Sequence, residues 1–405
     1  MNRRDFLRRA AMLGGATVLA ACGRAKPGDQ PASAEAAASE PATATPTPSA
    51  RPTSTVTPRP AATATPRALP SATRAQPPTS QPEQQAAAVA PPTTAATPTL
   101  PAASGAWIGT VVLVKSADRA EGVRRALQLL AVNPVKGANV LLKPNFNSAD
   151  PAPGSTHPDV LRALVTELQG MGARKITVGD RSGMGVTPRV MQQVGAVRLA
   201  KELGFDTVVF DDLAEKEWVL IKSKDNHWAR GFAVPKLLLD ADAVVQTCNL
   251  KTHRFGGHFT LSLKNSVGFA AKQVAETGYN YMSELHASPN QRTMIAEINR
   301  TYAPGLIVMD GVEAFTTGGP DRGNLVRPEV VLASRDRIAL DAVGVAILRL
   351  FGTTPQVSAG RVFEQAQIAR AVALELGAKG PGDVRILTAD AASEAFAAKI
   401  RPLIT

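Results

Sequence analysis

The stretch THPDVLRALVTELQGMGARKITV, residues 156–178, contains the pattern on which the fold prediction rests. Its capping box, Thr156 to Asp159, begins an amphipathic helix that ends at glycine, and the β-branched run KITV follows that helix. A second strand-like run, NVLL at residues 139–142, precedes the capping box. A strand, a helix and another strand in this order are typical of two parallel strands joined by a covering helix.

The same alternation of strands and helices continues on both sides of this unit. Strands are predicted over residues 110–115, 207–210, 243–247, 306–309, 329–333 and, near the C terminus, in the run DVRIL. Helices are predicted after the capping box Asp118 to Glu121, from Thr187 to Gly204, from Thr260, over residues 291–302 and from Asp336. We therefore expect an α/β fold with a mainly parallel, doubly wound sheet.

Two segments interrupt this rhythm. Residues 217–234 carry two strand-like runs around a polar turn, which predicts an antiparallel hairpin inserted at an edge of the sheet. Residues 270–290 lack periodicity, so we expect an inserted loop with the character of a lid. Tyr279, Tyr281 and His286 lie in this lid-like loop.

The first 22 residues are predicted to be an export signal. Their apolar stretch is too short to span a bilayer of roughly 30 Å. The segment NRRDFLR, which contains Arg3 and Arg4, resembles a twin-arginine export signal, and LAAC, which ends at Cys22, resembles the lipobox of bacterial lipoproteins. This resemblance implies cleavage before Cys22, lipid on its thiol, and a protein anchored to the cell membrane outside the cytoplasm.

The next segment, residues 23–103, is rich in Ala, Pro, Thr and Ser and has few large apolar side chains. Such a segment buries too little surface to offset its ordering entropy, so we expect a disordered linker. The folded α/β domain is therefore predicted to span residues 104–405.

Charge and cysteine content exclude several kinds of partner. The net charge of +11 falls to +6 over residues 104–405, and no basic run with interleaved aromatic residues is present there. We therefore expect no nucleic-acid partner. Cys248 is the one cysteine after Cys22, so an internal disulfide and a cysteine-ligated iron–sulfur cluster are not expected.

Polar side chains follow the predicted strands. Because ligands of open α/β sheets bind beyond the carboxyl ends of parallel strands, these residues are candidates for a binding site. The candidates at strand ends are Lys143, Asn145, Asp180, Asn249, Lys251, His253, Asp310, Gly311 and Asp336.

These residues belong to several ordered motifs, which are KPN at 143–145, GD at 179–180, NLKTH at 249–253, TLSLKNSVG at 260–268, DG at 310–311 and ASRDRIALDAVG at 333–344. Over most of residues 110–350 the chain thereby resembles the bacterial family named domain of unknown function 362. The resemblance implies a fold and a pocket but no established reaction. Many members carry an added ferredoxin segment, and this chain lacks its cysteines.

A small anionic ligand is the first hypothesis for the site. Lys143, Lys251 and Lys264 offer ammonium groups, and a helix beginning near Thr260 would direct backbone N–H groups at an anion. Gly256 and Gly257 would let the backbone turn close to that ligand. Amide groups that bind the same ligand are expected from Asn145, Asn249 and Asn265.

A divalent metal is the second hypothesis, and the sequence does not identify any other cofactor. His253 and His258 lie five residues apart around the glycine pair, and Asp180 or Asp310 would add oxygen ligands. This spacing differs from that of a helical metal motif. Nucleotide-binding and serine-hydrolase motifs are incomplete in this chain.

Two classes of function follow. The first is an enzyme acting on a small anionic substrate, with His253 as general acid or base, Lys251 or Lys264 stabilising negative charge, and Asp180 as a further catalytic group. The second is a tethered surface lipoprotein that binds a ligand or partner without turnover.

Overall fold

The protein is described here by a computed structural model of residues 107–274 and 278–405, together with the backbone of a short strand, Thr94–Ala95. The predicted export signal, residues 1–22, lies outside the described residues, and so does almost all of the predicted linker, residues 23–103. In the described part, no helix has both the length and the apolar character needed to cross a bilayer.

The strands form one large sheet and one small sheet. They are β1 Thr94–Ala95, β2 Thr110–Lys115, β3 Asn139–Lys143, β4 Lys175–Asp180, β5 Asp206–Val209, β6 Trp218–Ile221, β7 Phe232–Pro235, β8 Ala243–His253, β9 His258–Thr260, β10 Pro304–Gly318, β11 Gly323–Val326, β12 Val330–Ser334 and β13 Arg385–Leu387. The large sheet has the order β13-β2-β12-β10-β8-β3-β4-β5, with β9 added to β8 and β11 added to β10. Along this order β12 is antiparallel to both neighbours, and every other neighbouring pair is parallel. The predicted mainly parallel sheet is confirmed.

Helices cover both faces of the large sheet. They are α1 Arg119–Leu130, α2 Pro158–Gly170, α3 Thr187–Gln193, α4 Ala196–Leu203, α5 Lys236–Asp240, α6 Ser262–Asn265, α7 Tyr281–Ala287, α8 Gln291–Ile298, α9 Arg337–Leu350, α10 Pro355–Ser358, α11 Ala366–Ala373 and α12 Ala391–Ile400. Because side chains alternate along a strand, Val112 joins the apolar cluster under α1 and α2, while its neighbour Val111 joins the cluster under α9 and α12. The sheet is therefore doubly wound, as predicted.

Local predictions in the helices were partly wrong. The helix predicted from Thr187 to Gly204 divides into α3 and α4, because Gly195 adopts a left-handed conformation with φ 78°. At the start of α2 the N-cap is His157, whose ring nitrogen accepts the Asp159 N–H. The Thr156 hydroxyl, predicted to be that cap, instead accepts the Asn145 N–H across the loop after β3.

Both predicted insertions exist, but in different forms. The hairpin of β6 and β7 is antiparallel, yet it forms a separate sheet with β1 instead of extending the large one. Its apolar side chains, including Trp218 and Phe232, pack into a third apolar cluster with α8, and this burial places it on a face of the domain. The lid-like loop contains α7, whose Tyr281 and Leu285 are buried in the same cluster.

Two central strands are longer than predicted. β8 continues through His253, so the NLKTH motif is a buried strand and not the loop after one. β10 likewise continues past Asp310 and Gly311 to Gly318, with an irregularity between Asp310 and Ala314 in its pairing with β8. Consequently β8 extends beyond the end of its neighbour β3 and carries polar side chains above it.

Candidate functional site

One cavity at the carboxyl ends of β3, β4 and β8 collects most of the predicted site residues. Its volume is about 50 Å³, enough for a few water molecules or one small ion. The predicted residues that line it are Lys143, Asn145, Asp180, Lys251, His253, Lys264 and Asn265. The strand order explains the convergence, because β4, β3 and β8 are consecutive neighbours in the sheet.

The floor of the cavity is an ion pair between two strand ends. Lys143 Nζ, at the end of β3, lies 2.7 Å from Asp180 Oδ1, at the end of β4, and both side chains are buried. The other carboxylate oxygen accepts the Phe146 N–H at 2.8 Å. Burial lowers the pKa of Lys143 and raises that of Asp180, and the attraction between the two charges opposes both shifts. The Lys143 ammonium and the Phe146 N–H therefore hold the Asp180 carboxylate in place.

Two asparagines connect this ion pair to the neighbouring strands. Asn145 Nδ2 donates to Asn265 Oδ1 at 3.2 Å, and Asn265 Nδ2 donates to the Thr247 carbonyl of β8 at 3.2 Å. Lys143 Nζ lies 3.5 Å from the same Asn265 oxygen. These amides therefore fix the positions of the cationic side chains, and their hydrogen-bonding groups face protein partners.

Lys251 projects from β8 into a pocket of neutral acceptors. Its ammonium donates to Asn145 Oδ1 at 3.0 Å, to the Pro320 carbonyl at 3.1 Å and to the Gly154 carbonyl. No carboxylate forms an ion pair with it within the described ranges. Burial and the charge of Lys264 lower the pKa of Lys251 to about 7. This lysine therefore titrates near neutral pH.

Lys264, from α6, reaches the cavity beside His253. A Cβ on Gly257 would lie 2.6 Å from Lys264 Cε and 3.1 Å from His253 Nδ1, so all three groups meet at one point. The Lys264 side chain is half-buried, and among residues 107–274 and 278–405 no hydrogen bond or ion pair of its ammonium is formed. Burial and the charge of Arg181 lower the pKa of Lys264 to about 8. Its ammonium is thus available to a ligand.

His253 is held as a neutral imidazole. Burial, followed by the charges of Lys264 and Lys251, lowers its pKa well below the usual value. Its Nδ1 is buried without a hydrogen-bond partner in the described part of the chain. The ring is therefore neutral, and because burial and the two lysines also make it a weak base, it suits the transfer of a proton to another group more than the retention of one.

His258 does not join His253 in the cavity. The two residues are paired across β8 and β9, but His258 is absent from the cavity lining and adopts φ 59° in the turn. The described residues contain no group of three or more His, Cys, Asp or Glu side chains that could hold a metal ion. The metal hypothesis therefore lacks a third ligand in the part of the chain that is described.

The helix predicted to direct N–H groups at an anion does not do so. α6 is four residues long, and the N–H groups of Ser262 and Leu263 donate to the Asp341 carboxylate at 2.8 and 3.1 Å. The Ser262 hydroxyl donates to the same carboxylate at 2.5 Å. Burial raises the pKa of Asp341 to about 7. An internal carboxylate therefore occupies this helix start and fixes α6 to α9.

Four other predicted residues lie outside the cavity lining. Asp336 caps α9 and accepts the N–H groups of Gly109 and Ala378 as well, so its role is structural. Asp310 is bound by Arg119 on the side of α1, 2.9 Å away. Gly311 packs against Val330 in the sheet. The fourth, Asn249, is buried in β8 and donates to the Ser155 carbonyl at 3.1 Å.

Sequence reasoning left out several residues that shape the cavity. Arg181 ties the loop after α6 to the sheet by donating to the carbonyls of Val267 and Ala270 at 2.7 and 2.6 Å. Asn147 Nδ2 and Thr260 Oγ1 line the cavity and have no hydrogen-bond partner within the described residues. Arg181 directly follows the GD motif, so its position next to a strand end was visible in the sequence. Thr260 begins the TLSLKNSVG motif, whereas Asn147 gave no comparable signal.

The fold and this site define an α/β protein with a small, cation-rich cavity at the ends of its central parallel strands. A model of the family described as Domain of unknown function (DUF362) matches residues 140–346, about half of the chain. The chain therefore belongs to this family, which confirms the resemblance seen in its motifs.

Two further similarities are weaker. A thylakoid-associated protein of Synechocystis sp. is 28% identical over 217 residues, which cover 53% of this chain and 64% of that protein. The solved structure of the lactate racemase apoprotein from Thermoanaerobacterium thermosaccharolyticum matches with a TM-score of 0.37 and 16% identity, over 58% of this chain and 57% of that chain. A TM-score of this size does not establish a shared fold.

Proposed function

We propose that the cavity binds a small anion, such as a carboxylate or a phosphate. The observation that carries the proposal is its charge balance. Four cationic side chains line the cavity, Lys143, Arg181, Lys251 and Lys264, against the single carboxylate of Asp180. Because Lys143 is already paired with Asp180, the surplus of positive charge is available to a bound anion.

Hydrogen-bonding capacity supports the same proposal. Asn147 Nδ2, Thr260 Oγ1 and His253 Nδ1 are buried at the cavity without partners in the described residues. Buried polar atoms without partners cost roughly 1–3 kcal/mol each. An oxyanion would accept hydrogen bonds from the Asn147 amide and the Thr260 hydroxyl. It would also accept a charged hydrogen bond from the unpartnered Lys264 ammonium. The small volume favours a ligand of a few heavy atoms.

The proposal covers two modes of action. In the first, the protein is an enzyme in which neutral His253 accepts a proton and the lysines stabilise developing negative charge. In the second, it retains the anion without turnover. Burial and neighbouring cations lower the pKa of Lys251 to about 7 and that of Lys264 to about 8, and lysines with such pKa values in a cavity are candidates for catalytic groups.

Native mass spectrometry of the exported, folded full-length protein tests the binding proposal. We expect a retained small ligand, or mass addition of phosphate or acetate on titration with these ions. Turnover of a retained ligand by the purified protein would assign the enzyme, and unchanged release would assign the binding protein. A protein that carries no ligand and takes up neither anion would refute the proposal.

We further propose that the chain acts outside the cytoplasm, anchored to a membrane by lipid on Cys22. The twin-arginine and lipobox motifs support this, and the relative from Synechocystis sp. is named as thylakoid-associated. Fractionation of cells that express the Cys22→Ser variant tests the anchor. The variant should move from the membrane fraction to the soluble exported fraction, and equal membrane retention of the wild type and the variant would exclude a lipid anchor on Cys22.

A further inference from the structure

The cationic side chains that line the cavity differ in their hydrogen-bond and ion-pair partners. The Lys251 ammonium has three acceptors from the protein, and Lys143 is bound by Asp180 and by the Pro144 carbonyl at 2.6 Å. The Arg181 guanidinium donates hydrogen bonds to backbone carbonyls of the loop after α6. Within the described ranges, Lys264 is the lining cation that the protein leaves without a partner. It is also the only half-buried lysine of the three that line the cavity.

The surroundings of Lys264 suit an unprotonated amine. Its Cε and the His253 ring approach the same point beside Gly257, and the guanidinium of Arg181 and the ammonium of Lys251 are the neighbouring charges. Cations close to a lysine destabilise its charged form, and a primary amine activated in this way attacks carbonyl carbon. The pKa of about 8 agrees with this environment.

We propose that Lys264 forms an imine with the carbonyl group of a small oxo acid held in this cavity. This inference rests on the proposed anion binding, and it names the substrate class as a carboxylate that bears an adjacent ketone or aldehyde. The carboxylate meets the unpartnered Asn147 amide and Thr260 hydroxyl, while the carbonyl carbon meets the Lys264 amine.

The reaction is a balanced condensation. The Lys264 nitrogen forms a bond to the carbonyl carbon as the C=O π electrons move to oxygen, and the nitrogen loses a proton. His253 Nδ1 is placed to accept that proton, because it is buried without a partner in the described residues. The oxygen takes up this proton from His253 and then the second proton of the nitrogen, and departs as water, which leaves a neutral C=N bond to Lys264. No oxidant or further reactant is needed.

Reductive trapping tests the inference on the full-length protein. Wild-type protein is incubated with pyruvate and sodium borohydride, digested, and mapped by mass spectrometry. We expect one reduced adduct on the peptide that contains Lys264. Lactate, which has the same carboxylate and a hydroxyl in place of the carbonyl, should give none. The yield should rise as pH passes through about 8, because the amine must be unprotonated.

Two variants test whether the trapped adduct depends on the Lys264 amine. Lys264→Arg keeps the positive charge but has no primary amine, so the adduct should disappear. Lys236→Arg alters an exposed lysine that pairs with Asp240, and trapping should match the wild type. An adduct confined to surface lysines, or no adduct on the Lys264 peptide of the wild type, would overturn the inference. Phosphate binding by the same wild-type protein would then show that only the imine is wrong, whereas loss of both would remove the proposed function as well.

Discussion

Lys143 Nζ lies 2.7 Å from Asp180 Oδ1, and the space beside this ion pair admits a glycine only. A Cβ on Gly268 would lie 2.5 Å from Lys143 Cε and 2.6 Å from Asp180 Oδ1. Real Cβ atoms do not approach other heavy atoms so closely. The backbone after α6 therefore seals the ion pair from one side, and the pair connects two strands to the loop that follows Lys264.

The Gly268→Ala variant should show this contact directly. We expect a loss of unfolding free energy of about 1–3 kcal/mol, because the added methyl group must displace a buried ion pair. Gly170→Ala is the matched control, since no atom lies within 4 Å of a Cβ at that position. Urea denaturation measures both, and equal stability of the two variants would contradict the packing described.

The buried Lys251 predicts a specific pH dependence of stability. Its pKa is about 7 in the folded protein against an ordinary lysine value of 10.5, so between these pH values the unfolded chain binds more protons. Its contribution therefore makes stability rise with pH over this range, by at most about 1.4 kcal/mol per pH unit. Below pH 7 both states are protonated and the contribution is constant.

Denaturation curves of the wild type and of Lys251→Met across this range check the prediction. The variant should show a smaller rise with pH, and it should be less stable overall because three buried acceptors lose their donor. Lys236→Met removes an exposed charge and should keep the slope of the wild type. If Lys251→Met leaves the rise of stability with pH unchanged, the pKa of Lys251 is not lowered in the folded protein.

The raised pKa of Asp341 predicts that its contribution to stability falls, and does not rise, with pH in a lower pH range. Its pKa is raised from 3.8 to about 7 on folding, so between these values the folded protein binds more protons and its stability falls as pH rises. Asp341→Asn cannot ionise, and its stability should decline less over this interval. Thermal unfolding at several pH values measures the difference, and parallel curves for the wild type and the variant would contradict the assignment.

The sequence predicted the sheet and most of the cavity because both depend on local patterns. Lys143 and Asp180 follow short strand-like runs, and the ends of parallel strands meet at one edge. The remaining features depend on contacts between residues that are distant in sequence. Asp341 reaches Ser262 across 79 positions, and no local pattern indicates that a carboxylate from α9 occupies the start of α6.

The length of β8 was missed for a related reason. Its NLKTH segment contains polar residues that are typical of a loop, and only the surrounding structure satisfies them. Lys251 and Asn249 donate to backbone carbonyls in the loop after β3. The sequence predicts that a loop follows β3, but it does not predict that this loop lies against β8. Tertiary partners therefore outweighed local composition in this strand.

The contact between the Lys264 ammonium and an anion in this cavity can be measured by calorimetric titration of the full-length protein with inorganic phosphate. Wild type and Lys236→Met should bind with equal affinity, and Lys264→Met should bind at least about tenfold more weakly, since a charged hydrogen bond contributes roughly 1.5–3 kcal/mol. Equal phosphate affinity of Lys264→Met and the wild type would contradict the account.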